Sequence, residues 1–195
     1  NYNNYMRSII SFIFVLIVAT GLFINPVFVM ASDICYVDAD VDDDGDGSSD
    51  KPYESIKEAL EEDCSEIKVK EGTYEDSITI GSEVYVIGDD KDAVIITGKV
   101  VMKDDSVLEK VTVSGRGVEV YENANVEIED VKIKDAKIGI ETLGNGKLTL
   151  KGSELYGNRK AMYLQRGKNV DIQNNEVYDN SEEGIDIRSN VDGLI

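Results

Sequence analysis

The stretch from Gly117 to Ser189 decides the fold, because its pattern returns at a fixed step. Val126-Glu127-Ile128 comes back as Leu148-Thr149-Leu150, and again at the same step as Val170-Asp171-Ile172. Two more columns keep this step: Ile133, Leu155 and Val177, then Ala136, Asn158 and Asn180. The period of about 22 residues falls within the range of about 20–50 that is typical of a solenoid. We therefore expect this stretch to form stacked coils.

Each repeat carries short β-branched segments separated by Gly, Asn or Asp, the pattern of short strands joined by turns. In one repeat we predict that the core-facing residues are Ile128, Ile133, Ile138 and Ile140. The charged neighbours predicted to face solvent are Glu127, Glu129, Lys132, Lys134 and Glu141. A leucine-rich repeat has a similar length but returns through a helical segment. The alternation therefore favours coils of parallel strands, about 4.8 Å apart.

The charge balance excludes two classes of partner. The 195 residues include 39 acidic and 20 basic ones, a net charge of −19, and neither His nor Trp. Nucleic acid and anionic membranes attract proteins through Lys and Arg. We expect no nucleic-acid partner and a soluble, self-repelling monomer.

The first 31 residues have the organisation of a secretory signal peptide. Met6-Arg7 is the charged start, Ile9–Ile24 the apolar run, and Val29-Met30-Ala31 the cleavage site. The run is shorter than the roughly 20 residues that a membrane-spanning helix needs. We predict cleavage after Ala31, a secreted or cell-surface protein, and no transmembrane segment after cleavage. An uncleaved anchor is the alternative.

Cys35 and Cys64 are the only two cysteines. In an exported protein such a pair suggests one disulfide. It would close a loop of about 30 residues, which stabilises by about 3–4 kcal/mol in the chain-entropy model. It would tie a strand at Ile34–Val37 to the start of the strand at Glu66–Val69. Two unpaired thiols are the alternative.

The acidic loop from Asp38 to Asp50 is a candidate calcium site. Its carboxylates stand at Asp40, Asp42, Asp44 and Asp46, with Gly45 at the sixth place counted from Asp40. Alternating Asp residues match the front half of an EF-hand-type loop and supply the oxygen ligands that calcium prefers. The twelfth place is Lys51, where a bidentate Glu is expected, so a solvated turn is the alternative.

A short helix is predicted after this loop. Ser55 and Glu58 form a capping box, and Ile56, Ala59 and Leu60 give one apolar face over about Ile56–Glu62. The terminal coil of a solenoid exposes its core and an unpaired strand edge. We expect this helix to cap that end.

Several segments resemble the N-terminal part of right-handed parallel β-helix proteins of the pectin-lyase-like superfamily. They are Cys35–Asp38, the loop Asp46–Ser49, Pro52-Tyr53, the Ser55–Leu60 helix and Ile67–Tyr74. The resemblance implies an all-β, right-handed parallel β-helix with a short N-terminal capping helix. The resemblance covers Ile34–Ile195, and the expected organisation of the whole chain is a signal peptide at 1–31, a strand, loop and cap at 32–65, and coils at 66–195. The fold hosts many activities, so it implies no particular reaction.

No catalytic constellation stands out. The superfamily's hydrolases use clustered Asp with His, and this chain has no His. Its lyases use a calcium cage of carboxylates with an Arg or Lys base. Asp186 and Arg188 on one strand could serve that chemistry or form a surface ion pair, and exposed ion pairs contribute little. We name no catalytic residue.

Tyr156 and Tyr178 are one repeat step apart and should stack on successive coils, with Tyr163 nearby. Rows of aromatic rings suit sugar rings, so these three residues are candidate carbohydrate-binding residues. The alternative is a structural ladder in which tyrosines stack and the asparagines Asn158 and Asn180 exchange side-chain hydrogen bonds.

Together these features predict an exported or cell-surface scaffold that is non-catalytic in this stretch and binds a polysaccharide or surface glycan, or acts in adhesion. The alternative is a polysaccharide lyase or glycoside hydrolase that acts on acidic polysaccharide. We interpret Ile195 as lying inside an unfinished repeat, so that active site would be on further C-terminal coils. Calcium is the only cofactor expected.

Overall fold

The computed structural model describes residues 33–41, 45–188 and 191–194. It contains three parallel sheets, built by strands that recur in the same order along the chain. Sheet 1 consists of β1 (Ile34–Val37), β2 (Glu66–Val69), β5 (Tyr85–Gly88), β8 (Ser106–Glu109), β11 (Val126–Glu129), β14 (Leu148–Lys151), β17 (Gly167–Gln173) and β20 (Val191–Leu194).

Sheet 2 consists of β3 (Gly72–Tyr74), β6 (Val94–Ile96), β9 (Thr112–Ser114), β12 (Lys132–Lys134), β15 (Glu154–Tyr156) and β18 (Glu176–Tyr178). Sheet 3 consists of β4 (Ile78–Ile80), β7 (Val100–Met102), β10 (Val118–Val120), β13 (Ile138–Thr142), β16 (Lys160–Leu164) and β19 (Ile185–Ile187). One strand from each sheet makes one coil, so β2–β3–β4 is coil 1 and β17–β18–β19 is coil 6. The chain is a parallel β-solenoid.

The register follows the sequence repeat. Val126 pairs with Leu148, and Ile133 pairs with Leu155, each partner lying one repeat step further along the chain. Alternate side chains of each strand therefore stack into continuous columns inside the coils. The interior columns hold fully buried aliphatic residues that include Ile67, Ile96, Leu108, Ile128, Ile133, Ile140, Leu150 and Leu155. One strip of hydrophobic core thus runs along the solenoid.

In coils 3–6 the turns between sheets 1 and 2 are short because one residue in each adopts a left-handed backbone. Lys110, Asp130, Gly152 and Asn174 have φ values of 52°, 51°, 59° and 57° at successive coils. Asn, Asp and Gly tolerate this region best, so their recurrence at a fixed step supports a sharp corner.

The N-terminal end of the solenoid is closed by a cap. The free edge of β1 is covered by a loop, since Tyr36 N donates to Gly47 O and Asp38 N donates to Tyr53 O, each at 2.9 Å. The helix α1 (Ile56–Glu61) contacts β1, β2 and β4. The Ser55 half of the predicted capping box is confirmed, with Ser55 Oγ accepting from Glu58 N at 3.1 Å.

The predicted disulfide is confirmed. Cys35 in β1 bonds to Cys64, just before β2, across a Cα–Cα distance of 5.9 Å. The bridge therefore joins the outermost strand of sheet 1 to the start of coil 1. Within the part of the chain that the structure describes, no helix is long and apolar enough to cross a membrane. The predicted signal peptide lies outside the described residues.

One core assignment is wrong. Ile138 is only half-buried, and it pairs with Lys160 on the outer side of sheet 3. The next residue, Gly139, faces inward at the corner, where an added Cβ would lie 3.3 Å from Ile133 Cγ2. The simple alternation of inward and outward side chains thus breaks where the turn meets the strand.

Candidate functional site

Two of the three candidate sugar-binding tyrosines are brought together on the outer face of sheet 2. The rings of Tyr156 and Tyr178 stack with centroids 5.0 Å apart and planes within 6°. We call these two residues the tyrosine pair. Each ring covers one face of the other. Tyr178 is 39% exposed.

A carboxylate column accompanies the tyrosine pair. Glu154 and Glu176 pair in register, two residues before Tyr156 and Tyr178. Tyr178 Oη donates a hydrogen bond of 3.3 Å to Glu154 Oε2. Desolvation and the nearby Glu154 carboxylate raise the pKa of the Tyr178 hydroxyl. The phenol therefore stays protonated, and remains a donor, at neutral pH.

An ionic network fixes Glu154 from the coils below. Lys91 Nζ lies 2.7 Å from Asp130 Oδ1 and 3.5 Å from Glu154 Oε1. Lys132 Nζ lies 3.8 Å from the same Glu154 oxygen and also pairs with Asp92. Such a network holds a carboxylate in place more firmly than a single exposed pair does.

Asparagines support the turns beside the tyrosine pair, but not in the predicted way. Asn158 Oδ1 accepts from Ala136 N, and its Nδ2 donates to Ile133 O, both at 3.0 Å. Asn180 repeats this geometry one coil on, with Asn158 N and Leu155 O. Asn180 Nδ2 also donates to Tyr178 O in its own coil, so both side chains bond to main-chain atoms and not to each other. The predicted exchange between Asn side chains is therefore wrong.

Tyr163, the third candidate, lies elsewhere, on β16 of sheet 3. Lys160 Nζ and Arg188 Cζ lie 5.4 and 5.5 Å from its ring centre, within the range of a cation–π contact. Asp186 Oδ2 bonds to Lys160 Nζ at 2.6 Å and to Arg188 Nη2 at 2.9 Å. Asp186 and Arg188 thus form an ion pair that includes Lys160. The Lys160 hydrogen bond, reinforced by Arg188, lowers the pKa of Asp186.

The residues around Tyr163 form a cleft that the sequence reasoning missed. It is lined by Lys137, Ile138, Arg159, Lys160, Tyr163 and Arg188, which we call the cationic cleft. Lys137 and Arg159 are one repeat step apart, and so are Ile138 and Lys160. Basic residues recurring at the repeat step in a strongly acidic chain were the signal that could have revealed it.

The candidate calcium ligands are only partly described. Asp42 and Asp44 lie outside the described residues. Asp46 Oδ1 accepts from Ser48 N at 3.0 Å, and the Ser48 hydrogen bonds lower the pKa of Asp46. Over residues 33–41, 45–188 and 191–194 no group of three or more Asp, Glu, Cys or His is placed to hold a metal. Calcium binding by the four-residue set stays a prediction.

The comparisons with known proteins agree with this architecture. The family model described as "Right handed beta helix region" matches residues 62–194. The chain belongs to this family, and the predicted right-handed parallel β-helix with its short capping helix is confirmed. A search of curated proteins finds no match. A search of solved structures also finds none.

Proposed function

We propose that this protein is an exported or surface-displayed β-helix scaffold that binds carbohydrate on the outer face of sheet 2. The observation that carries the proposal is the tyrosine pair, held parallel and in register beside Glu154 and Glu176. Tyrosine offers an apolar ring and a hydroxyl on one rigid side chain. Carboxylates accept the hydrogen bonds that sugar hydroxyl groups donate.

The stacking defines which atoms a sugar can reach. Because the two rings cover each other, a glycan lying along the solenoid meets ring edges and both Oη atoms. Lys134, the strand partner of Tyr156 in the preceding coil, adds a donor to the same column. A ligand that spans two or more coils therefore has a repeating set of donors and acceptors about 4.8 Å apart.

Export is supported by the order of the N-terminal sequence and by the Cys35–Cys64 bridge, since disulfides persist in oxidising compartments. We expect the protein recovered from the medium or cell surface to begin at Ser32. N-terminal sequencing of that protein measures the cleavage site directly. Recovery of the chain with residues 1–31 still attached contradicts the signal-peptide assignment.

Binding is tested by affinity electrophoresis of the full chain in gels that contain neutral or acidic soluble polysaccharides. We expect at least one polymer to retard the protein. We expect Tyr178→Ala to abolish that retardation and Tyr178→Phe to weaken it, because Phe keeps the ring but lacks the hydroxyl.

The matched control is Tyr121→Ala. Tyr121 is 51% exposed, more than Tyr178, and follows β10 of sheet 3, so this substitution removes an accessible ring from another part of the coil. Retardation should be unchanged in this variant. The proposal is wrong if no polymer retards the wild type, or if Tyr121→Ala and Tyr178→Ala weaken retardation equally.

The competing prediction is cleavage of acidic polysaccharide by the full protein. The same polymers, incubated with the chain, can be assayed for new unsaturated or reducing ends. Release of such ends favours the enzyme, whereas retardation without release favours the scaffold.

A further inference from the structure

The cationic cleft concentrates positive charge on an acidic protein. It brings Lys137, Arg159, Lys160 and Arg188 around Tyr163, although the chain has a net charge of −19. The cleft is open to solvent and has a volume of about 140 Å³. That volume equals four or five water molecules at ~30 Å³ each, which is room for a small polyatomic anion.

Four cations line the cleft, and three carboxylates make ion pairs with them. Arg159 Nε pairs with Glu182 at 2.6 Å, and Lys160 Nζ lies 3.2 Å from Glu183. Asp186 serves both Lys160 and Arg188, and Glu141, the strand partner of Tyr163, is a fourth carboxylate that accepts from Gln165. Lys137 makes no ion pair with any residue that the structure describes.

The three carboxylates differ in how firmly they are held. The Asp186 side chain is 11% exposed and makes two ion pairs. The Glu182 and Glu183 side chains are 37% and 54% exposed. Exposed ion pairs are weak and are exchanged easily with other partners. Glu182 and Glu183 can therefore turn away when a stronger anion arrives, whereas Asp186 stays.

The guanidinium groups have unused hydrogen-bonding capacity. Each carries five N–H donors. Within the described residues, Arg159 uses its Nε toward Glu182, and Arg188 uses its Nη2 toward Asp186. The Tyr163 ring holds Arg188 and Lys160 in place through cation–π contacts. The remaining donors belong to groups that line one cleft.

We propose that the cationic cleft is a binding site for a phosphate dianion, either free or as a phosphomonoester. A monocarboxylate would only replace Glu182 or Glu183 with an equivalent group. A phosphate carries about −1.5 to −2 charges at pH 7 and presents three acceptor oxygens. It can accept from Arg159, Lys137 and Arg188 together, and bidentate Arg–phosphate bonds are among the strongest charge-assisted hydrogen bonds.

This site is separate from the tyrosine pair, which lies on sheet 2. The cationic cleft would select a phosphate by its charge and shape, and this selection does not depend on the sugar contacts proposed above. Loss of glycan binding in Tyr178→Ala therefore does not test phosphate binding by the cationic cleft. Loss of phosphate binding likewise leaves the proposed carbohydrate function intact.

The test is a calorimetric titration of the full chain at physiological salt with four probes. They are inorganic phosphate, glucose 6-phosphate, glucose 6-sulfate and glucuronate. We expect both phosphates to bind at least about tenfold more tightly than the sulfate ester or the carboxylate. A phosphate dianion forms more charge-assisted hydrogen bonds with the cleft than either of those probes, and each such bond strengthens binding. Equal binding of the two phosphates identifies a free-anion site, and tighter binding of the sugar phosphate identifies a phosphomonoester site.

Variants make the assignment specific. Arg159→Gln and Lys137→Gln should each weaken phosphate binding about tenfold. Lys103→Gln removes an exposed lysine after β7 and should change the affinity less than about twofold. Glu182→Gln should tighten binding, because it removes a competing carboxylate, and a misfolded variant cannot produce that gain.

The proposal is overturned if the sulfate ester or glucuronate binds as tightly as the phosphates. It is also overturned if no phosphate binding is detected, if Arg159→Gln matches Lys103→Gln, or if Glu182→Gln leaves the affinity unchanged.

Discussion

The N-terminal cap and the turns of coils 5 and 6 both hold one coil against its neighbour, but through different contacts. At the cap, a disulfide joins β1 to coil 1, and Ile56 and Ala59 of α1 are buried against the first strands. In coils 5 and 6, buried Asn158 and its successor Asn180 bond to the main chain of the coil before.

The difference reflects what each region lacks. An inner coil has partners on both sides, so a side chain reaching back by one coil can complete its turn and be repeated at the next step. The first coil has no preceding turn to bond with, so its strand edge must be covered by a segment that does not share the repeat. Covalent and apolar contacts therefore dominate the cap, and side-chain to main-chain hydrogen bonds dominate the turns.

The largest expected effect comes from breaking the cap. Cys35→Ser with Cys64→Ser should lower the free energy of unfolding by about 3–4 kcal/mol, because the open chain gains loop entropy in the unfolded state. Urea denaturation of the two proteins measures the loss. A reductant should bring the wild type to the same midpoint and leave the variant unchanged. Equal midpoints without reductant contradict the prediction.

The second effect breaks a turn. Asn158→Ala leaves the buried Ala136 N–H and Ile133 C=O without their partner, at a cost of about 2–3 kcal/mol. Asn180→Ala is the matched control. Asn180 is only half-buried, so water can replace its hydrogen bonds and we expect about 1 kcal/mol. Thermal denaturation ranks the two variants, and a larger loss for Asn180→Ala reverses the argument.

The sequence repeat predicted much of this comparison. Its constant step anticipated which residues stack, as the pairing of Thr149 with Asp171 shows. The capping box and the two cysteines predicted the cap. Periodicity works here because hydrogen-bond register in a solenoid forces equal steps to occupy equal places.

The repeat could not predict which atoms meet. It placed Asn158 and Asn180 in one column, but the left-handed residues before them, Gly157 and Asp179, turn each side chain toward the preceding main chain. The repeat step linked Lys137 with Arg159 but could not place Arg188 in the cationic cleft. Met162 pairs with Ile185, one position beyond the repeat step, so the chain of coil 6 takes a longer path to sheet 3.

A third effect tests the acidic loop of the cap. If calcium binds there, adding it at ten times its Kd should stabilise the chain by about 1.4 kcal/mol, because only the folded state offers the site. Differential scanning calorimetry with and without calcium measures the shift. The combined substitution of Asp40, Asp42 and Asp44 by Asn should remove it. A shift of equal size in that variant shows that calcium acts elsewhere.

The smallest effect concerns Asp186 on β19 of coil 6 and depends on pH. Lys160, and then Arg188, lower the pKa of Asp186 in the folded state, so the ionised form stabilises the fold. This contribution is fully present above the unfolded pKa of about 4 and is lost as pH falls through the lower folded pKa.

The difference in unfolding free energy between wild type and Asp186→Asn should therefore be constant from pH 7 to about 5 and shrink below about pH 4. Introducing Lys160→Gln into both proteins should reduce the plateau difference, because the main cause of the lowered pKa is then gone. A difference that grows on acidification means that Asp186 is held in its protonated form, which its ion pairs with Lys160 and Arg188 oppose.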